Sequence, residues 1–141
     1  MKGYKTAKSL PKGMLVLSWF ESHPFFVLPV EVIPKSIVTM FFADTRVPFG
    51  PSSDLSSLKN LKVLVYRKCD PIAIPKLPKS IEYLSLAGNS IGNGMWDYTT
   101  FKLKDYPKLK YFDISKSMIP KNKIPKEWKE AKKAKKIFVL Y

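Results

Sequence analysis

Residues able to do chemistry are sparse in this chain, and their spacing argues against most catalytic arrangements. The single histidine, His23, follows Ser22. A serine nucleophile needs a base that is itself oriented by a third group, and the sequence offers neither a second base nor a third member. His23 beside Pro24 therefore reads as a turn or packing residue. The single cysteine, Cys69, rules out an internal disulfide framework, and no Cys/His cluster has metal-ligand spacing. Residues 88–94, Gly-Asn-Ser-Ile-Gly-Asn-Gly, lack the G-K-[ST] ending with which a phosphate loop holds a nucleotide. Their glycines read as tight-turn residues. Asp44, Asp70 and Asp113 form no defensible carboxylate pair. The expectation is a non-enzymatic protein with no catalytic residue, no metal, no cofactor and no small-molecule substrate.

What the sequence does carry is one short pattern in six copies. The clearest is Ile81-Glu82-Tyr83-Leu84-Ser85-Leu86-Ala87-Gly88-Asn89-Ser90-Ile91, or L-x-x-L-x-L-x-x-N-x-L. Met14, Leu17, Trp19, Ser22 and Pro24 fit the same frame, as do Ile37, Met40, Phe42, Thr45 and Val47. Leu61, Leu64, Tyr66, Cys69 and Pro71 form the third copy, and Leu109, Phe112, Ile114, Ser117 and Ile119 the fifth. A sixth begins at Ile137 and Leu140. Starts at 14, 37, 61, 81, 109 and 137 are spaced 23, 24, 20, 28 and 28 residues apart.

This spacing and pattern resemble the leucine-rich repeat family over nearly the whole length. Leu77-Pro78-Lys79-Ser80-Ile81 leading to Leu84 is similar to the L-P-x-x-L-x-x-L of short bacterial repeats. Ile33-Pro34-Lys35-Ser36-Ile37 is similar to the I-P-x-S-I repeats of amoebae and their large viruses. Both subtypes stay open. The resemblance implies an α/β solenoid over residues 1–141. It would be a single arc with a parallel sheet of about six short strands on its inner face, mostly irregular returns and a C-terminal helix. It implies no conserved catalytic residue. Its coils stack because one coil cannot bury its apolar side alone.

In that frame the first, fourth and sixth positions point inward. The ninth, occupied by Ser22, Thr45, Cys69, Asn89 and Ser117, can donate to carbonyls where the chain leaves the strand. Cys69 thereby gains a structural role. The returns are rich in proline (Pro29, Pro34, Pro48, Pro51, Pro71, Pro75, Pro78, Pro107, Pro120, Pro125), which predicts extended segments and tight turns. A short helical turn is expected over 54–60 and a helix over 126–135. In the helix, Trp128, Ala131 and Ala134 share one side and lysines cover the rest. The longer segment 92–106 carries Met95, Trp96, Tyr98 and Phe101, and its aromatics are expected to pack rather than face a partner.

Charge is lopsided. Residues 1–58 carry six Lys/Arg and four Asp/Glu, residues 59–141 nineteen and seven, within a total of +14. A basic half fits nucleic acid, an anionic membrane or an acidic protein. Arginine, the better bidentate reader of phosphates and base edges, occurs only at Arg46 and Arg67. Residues 1–20 superficially resemble a signal peptide, basic then apolar, but Glu21 ends the short run without a small-residue cleavage site. No stretch reads as a membrane span. An intracellular setting, or a particle assembled inside a cell, is expected.

Alternation along the strands predicts an outward row set. It comprises Val16, Ser18, Phe20, Thr39, Phe41 and Ala43, then Val63, Val65, Arg67, Tyr83, Ser85 and Ala87. Tyr111, Asp113, Ser115, Val139 and Tyr141 complete it. Val16, Phe20, Phe41, Val63, Val65, Arg67, Tyr83 and Tyr111 are the candidate partner contacts, because a largely apolar exposed patch marks a protein interface. The leading expectation is a protein–protein interaction or scaffold module, binding a protein or a copy of itself. It would suit a subunit of a large assembly such as a virus particle. The alternative is a nucleic-acid-associated, ribonucleoprotein component using Lys102, Lys104, Lys108, Lys110, Lys129, Lys132, Lys133 and Lys136. The strand edge at 137–141 is expected to be covered by a partner chain or second copy, since an open edge templates another strand.

Overall fold

Apolar residues at the fourth and sixth pattern positions lie two apart, so a strand through them buries one side only. The computed structural model describes residues 10–20, 28–44, 53–69, 74–91 and 97–141. Its strands are β1 (Val16–Phe20), β2 (Thr39–Ala43), β3 (Val63–Arg67), β4 (Tyr83–Ser85), β5 (Tyr111–Asp113) and β6 (Phe138–Leu140). They form one sheet in chain order, parallel at every pairing. Leu17, Met40, Leu64, Leu84 and Phe112 lie side by side across it, so the fourth positions of five copies are in register. With one helix, α1 (Lys126–Lys133), the arrangement is of α/β type.

Five of the six strands, β1 to β5, are entered through the same turn. The N–H of Met14, Ile37, Leu61, Ile81 and Leu109 donates to the carbonyl three residues earlier, at 2.9–3.2 Å. Pro11, Pro34 and Pro78 supply three of those carbonyls. The serines that precede two of these residues tie successive units together. Ser36 Oγ donates to the Met14 carbonyl at 2.8 Å and Ser80 Oγ to that of Leu61 at 2.7 Å. The chain leaves β2, β3, β4 and β5 in one conformation as well. Asp44, Lys68, Gly88 and Lys116, all at the eighth position, have φ of 51°, 52°, 73° and 56°. This left-handed region strains every residue but glycine.

The core lies on one side of the sheet. Ile37, Met40, Phe42, Leu61, Leu64, Ile81, Leu84, Leu86 and Phe112 are fully buried there. The ninth-position donors act as expected at two places. Asn89 Nδ2 donates to the Tyr66 carbonyl at 2.9 Å and to that of Leu86 at 2.7 Å, while its Oδ1 accepts the Cys69 N–H at 2.6 Å. Cys69 Sγ contacts the Phe42 carbonyl at 3.4 Å and the Arg67 carbonyl at 3.3 Å. Tyr66 stacks on Phe42 with centroids 5.5 Å apart, and burial pushes its phenol well above the usual range.

Helix α1 starts after Pro125, whose fixed φ suits a helix entry, and ends sooner than the expected 126–135. Ala134 caps it, and Lys135 turns away with φ 53°. Trp128 is fully buried, edge-on to Phe112 with centroids 4.9 Å apart, and its indole N–H donates to the Phe101 carbonyl at 3.3 Å. Phe101 also stacks on Phe112 and Tyr106, so the described aromatics of 97–106 do pack. Helix α1 therefore sits on the core side of the sheet. Residues 54–60 form successive tight turns rather than a helical turn. The Asp54 carboxylate takes the Ser56 N–H at 2.7 Å, and the Asp54 backbone bridges to Lys76, which fixes a turn there.

The sixth copy begins one residue earlier than its pattern suggests. Val139 pairs with Phe112, which makes Val139 the buried fourth-position residue and Lys136 the first. Phe138 and Leu140, not Val139 and Tyr141, share the outward rows. A one-residue slip exchanges the two faces of a strand, and two contacts select this register. Val139 fills the core, and the Phe138 ring stacks on Tyr111 with centroids 5.3 Å apart. Several sequence-based expectations fall on Ser22, His23, Pro24, Thr45, Arg46, Val47, Pro48, Pro51, Asp70, Pro71, 92–94, Met95 and Trp96, which lie outside the described residues. Among the described residues no helix is long and apolar enough to cross a membrane.

Candidate functional site

The sheet face away from the core carries three rows of side chains, each row crossing strands about 4.8 Å apart. The first runs Val16, Thr39, Val63, Tyr83, Tyr111, Phe138, and the second runs Ser18, Phe41, Val65, Ser85, Asp113, Leu140. Phe20, Ala43 and Arg67 begin the third. All eight residues picked out as partner contacts lie on this one face. Six strands at that spacing make it about 24 Å long.

Rows in register let side chains cover one another. Tyr83 and Tyr111 stack nearly parallel, 4° between planes and 4.3 Å between centroids, and Phe138 continues the stack. At the other end Phe20 leans on Phe41 with centroids 5.3 Å apart. Phe41, Val63, Val65, Tyr83 and Tyr111 are consequently half-buried, whereas Val16 and Phe20 are 56% and 59% exposed and Phe138 60%. Ala43, Ser85 and Asp113 face the same way but are buried by their neighbours.

The buried polar groups of this face, Ser85 and Asp113, lie toward its β4–β5 end. The Asp113 carboxylate accepts the Ser115 N–H at 2.9 Å and lies 3.4 Å from Ser85 Oγ. Burial, then the neighbouring Tyr111 and the Asp113 charge, push the Tyr83 phenol up to about 12. Tyr83 is therefore a neutral hydroxyl at any ordinary pH. Arg67 is exposed, and with Asp113 covered it is the accessible charge among the described residues of these rows.

The eight lysines assigned to a basic surface are all exposed, but they are not equivalent. Lys110 is held by Glu82 at 2.7 Å, and Lys62 reaches the same carboxylate at 3.4 Å. Lys110, then Lys62, lower the Glu82 carboxyl below its usual range. Lys102 Nζ donates to the Thr99 carbonyl at 2.6 Å. Lys129, Lys132 and Lys133 lie on α1, with Lys132 Nζ 4.0 Å from the centre of the Tyr141 ring. Lys126 shares their side of the helix and is absent from the expected set. A helical projection of 126–133 at 100° per residue would have found it.

Among the described residues no three His, Cys, Asp or Glu side chains gather as a metal site. Comparison with family models, curated proteins and solved structures finds no match to this chain in any of the three.

Proposed function

We propose that this chain is a leucine-rich-repeat arc, a right-handed solenoid with its parallel sheet on the concave side, and that it is a non-enzymatic interaction or scaffold module. Its open sheet face holds a protein partner or a second copy of the chain. The observation that carries this reading is the fate of alternate residues in one sheet. One set builds the core, while Val16, Phe20, Phe41, Val63, Val65, Tyr83 and Tyr111 form a continuous row set on the other side. An apolar surface of that length costs solubility unless something covers it for part of the protein's life. Stacked rings at one end and a mixture of Phe20, Phe41 and aliphatic groups at the other suit a flat or extended protein surface. Arg67 and the Tyr83 hydroxyl would set its orientation. A fixed place in a large assembly, such as a virus particle, fits a molecule that pairs such a face with a lysine-rich exterior.

The test is affinity purification from native lysate with nuclease and moderate salt, using the natural chain and the Phe41→Asp and Val65→Asp variants. The natural chain should retain a protein, or its own copies by sedimentation, because apolar contacts are little screened by salt. Both variants should lose it while keeping their circular dichroism. Retention by both folded variants would remove the sheet face from the interface.

A further inference from the structure

We propose that a lysine track along α1 and its flanks is a docking surface for the phosphodiester backbone of nucleic acid, separate from the protein-binding face. Residues 121–136 hold eight lysines against two glutamates, a net charge of +6. All eight lysines are exposed. At 100° per residue, Lys126, Lys129, Lys132 and Lys133 fall within a 120° arc of α1. Trp128 and Ala131 point the other way, into the protein.

Both glutamates are already engaged. Glu127 Oε1 accepts the Lys104 backbone N–H at 3.0 Å, which turns its charge toward the protein. Glu130 pairs with Lys126 at 3.6 Å, the one ion pair of this segment among the described residues. Exposed pairs of that kind are weak, so Lys126 can change partner at little cost. Neighbouring lysines on a helix face stand about 5–6 Å apart at Cβ, and their flexible stems let each ammonium find its own phosphate. Lys121 and Lys123 lie in the 3-10 turn before α1, and Lys135 and Lys136 follow it, so the positive strip continues beyond both ends.

An anionic bilayer is the competing occupant, and the helix argues against it. A helix that lies on a membrane presents large apolar residues between its lysines. Here the one large apolar side chain of α1, Trp128, is fully buried against Phe112 and Phe101. The near absence of arginine predicts backbone contacts without base reading. Because α1 packs on the core side of the sheet, such a ligand would occupy the surface behind the open face. One molecule could then join a protein to a nucleic acid.

The experiment uses the whole chain and a fluorescent single strand of about 20 nucleotides, titrated by anisotropy at several salt concentrations. If about four lysines neutralise phosphates, the log–log salt slope should be about −3 and binding should weaken about 50-fold between about 50 and 200 mM. The variant carrying Lys129→Gln, Lys132→Gln and Lys133→Gln should lose about two units of slope. A variant carrying Lys35→Gln, Lys59→Gln and Lys79→Gln has the same net charge change away from the track and should keep the slope. Circular dichroism checks that both variants are folded. Absence of binding at low salt overturns the proposal. So do equal losses in the two variants, which would mean a diffuse response to net charge, and binding to phosphatidylserine vesicles but not to the strand.

Discussion

The two faces of the sheet are made by the same strands and separated by one residue of register, yet they obey different rules. Toward the core, Met40, Phe42, Leu64, Leu84 and Phe112 are fully buried, and Trp128 from α1 is packed over the end of the row. On the opposite face, equally large side chains stop half-buried, covered only by their neighbours in the next strand. The difference shows that strand alternation divides fully buried side chains from partly exposed ones. A substitution on one face should chiefly change folding, and one residue along it should chiefly change binding.

The sharpest way to break that division is to compare Leu84→Ala or Trp128→Ala with Phe41→Asp. Removing Leu84 leaves a cavity in a fully buried site and should cost about 2–5 kcal/mol; removing Trp128 should cost about 3–5 kcal/mol. Phe41→Asp gives up a ring contact with Phe20 on an open face and should cost about 1 kcal/mol or less. Urea unfolding measures all three. A cost for Phe41→Asp as large as that for Leu84→Ala would show that the open face is structural.

A second comparison concerns the polar ladder at the strand exits. Asn89 is buried and satisfies three backbone groups, on Cys69, Tyr66 and Leu86. Asn89→Ala would leave them without that partner, at about 2–4 kcal/mol. Cys69→Ala removes only a weak sulfur donor and should cost about 1 kcal/mol or less. Nearly equal values in chemical denaturation would mean that the turn is held by its backbone alone.

These contrasts mark how far the sequence could be read. The recurrence of Leu64, Leu84 and Phe112 in one frame carries the family resemblance, and it is that resemblance which implies a parallel sheet of about six strands; alternation places all eight proposed contacts on one side. Three further features depend on neighbours rather than on local pattern. The last strand is in register through Val139 because Phe138 completes an aromatic stack that begins at Tyr83, two units away, and passes through Tyr111. Residues 54–60 form tight turns because an Asp54 side chain and a distant Lys76 backbone set them. Ser85 and Asp113 are buried on the open face because they approach each other across strands. Burial of this kind is not encoded in any single segment.

The polar end of the open face makes a pH prediction. The Tyr83 phenol is raised from 10.0 to about 12, so folding favours its neutral form. That contribution is fully present below pH 10, where the unfolded phenol is also neutral, and is lost as pH rises from 10 towards 12. Phenolate absorbance of the natural chain minus that of Tyr83→Phe should therefore show a transition near pH 12. In alkaline unfolding the Tyr83→Phe variant should have the higher midpoint. A difference transition at pH 10 would mean that Tyr83 is freely solvated and that the stack with Tyr111 is open.

The smallest effect belongs to the point where four described units, those of β2 to β5, turn out of the strand. Lys68 and Lys116 adopt φ of 52° and 56° at the position that Gly88 fills with φ 73°. A side chain there crowds its own following carbonyl, a strain of about 1–2 kcal/mol that glycine avoids. Glycine in turn has more freedom to lose on folding, which offsets part of that relief. Lys116→Gly should thus stabilise the chain by about 0.5–1 kcal/mol, and Gly88→Ala should destabilise it by a similar amount. Space does not confuse the second test, because a methyl group on Gly88 would meet only Lys68 Cγ at 3.5 Å, an ordinary contact. Lys68→Gly should match Lys116→Gly closely, since the Asp44 pair it gives up is exposed and 3.7 Å long. Thermal unfolding of the three variants decides it. Opposite signs at 88 and 116 would show that one backbone geometry recurs under different residues, whereas a loss on Lys116→Gly would mean that the lysine contributes more there than its conformation costs.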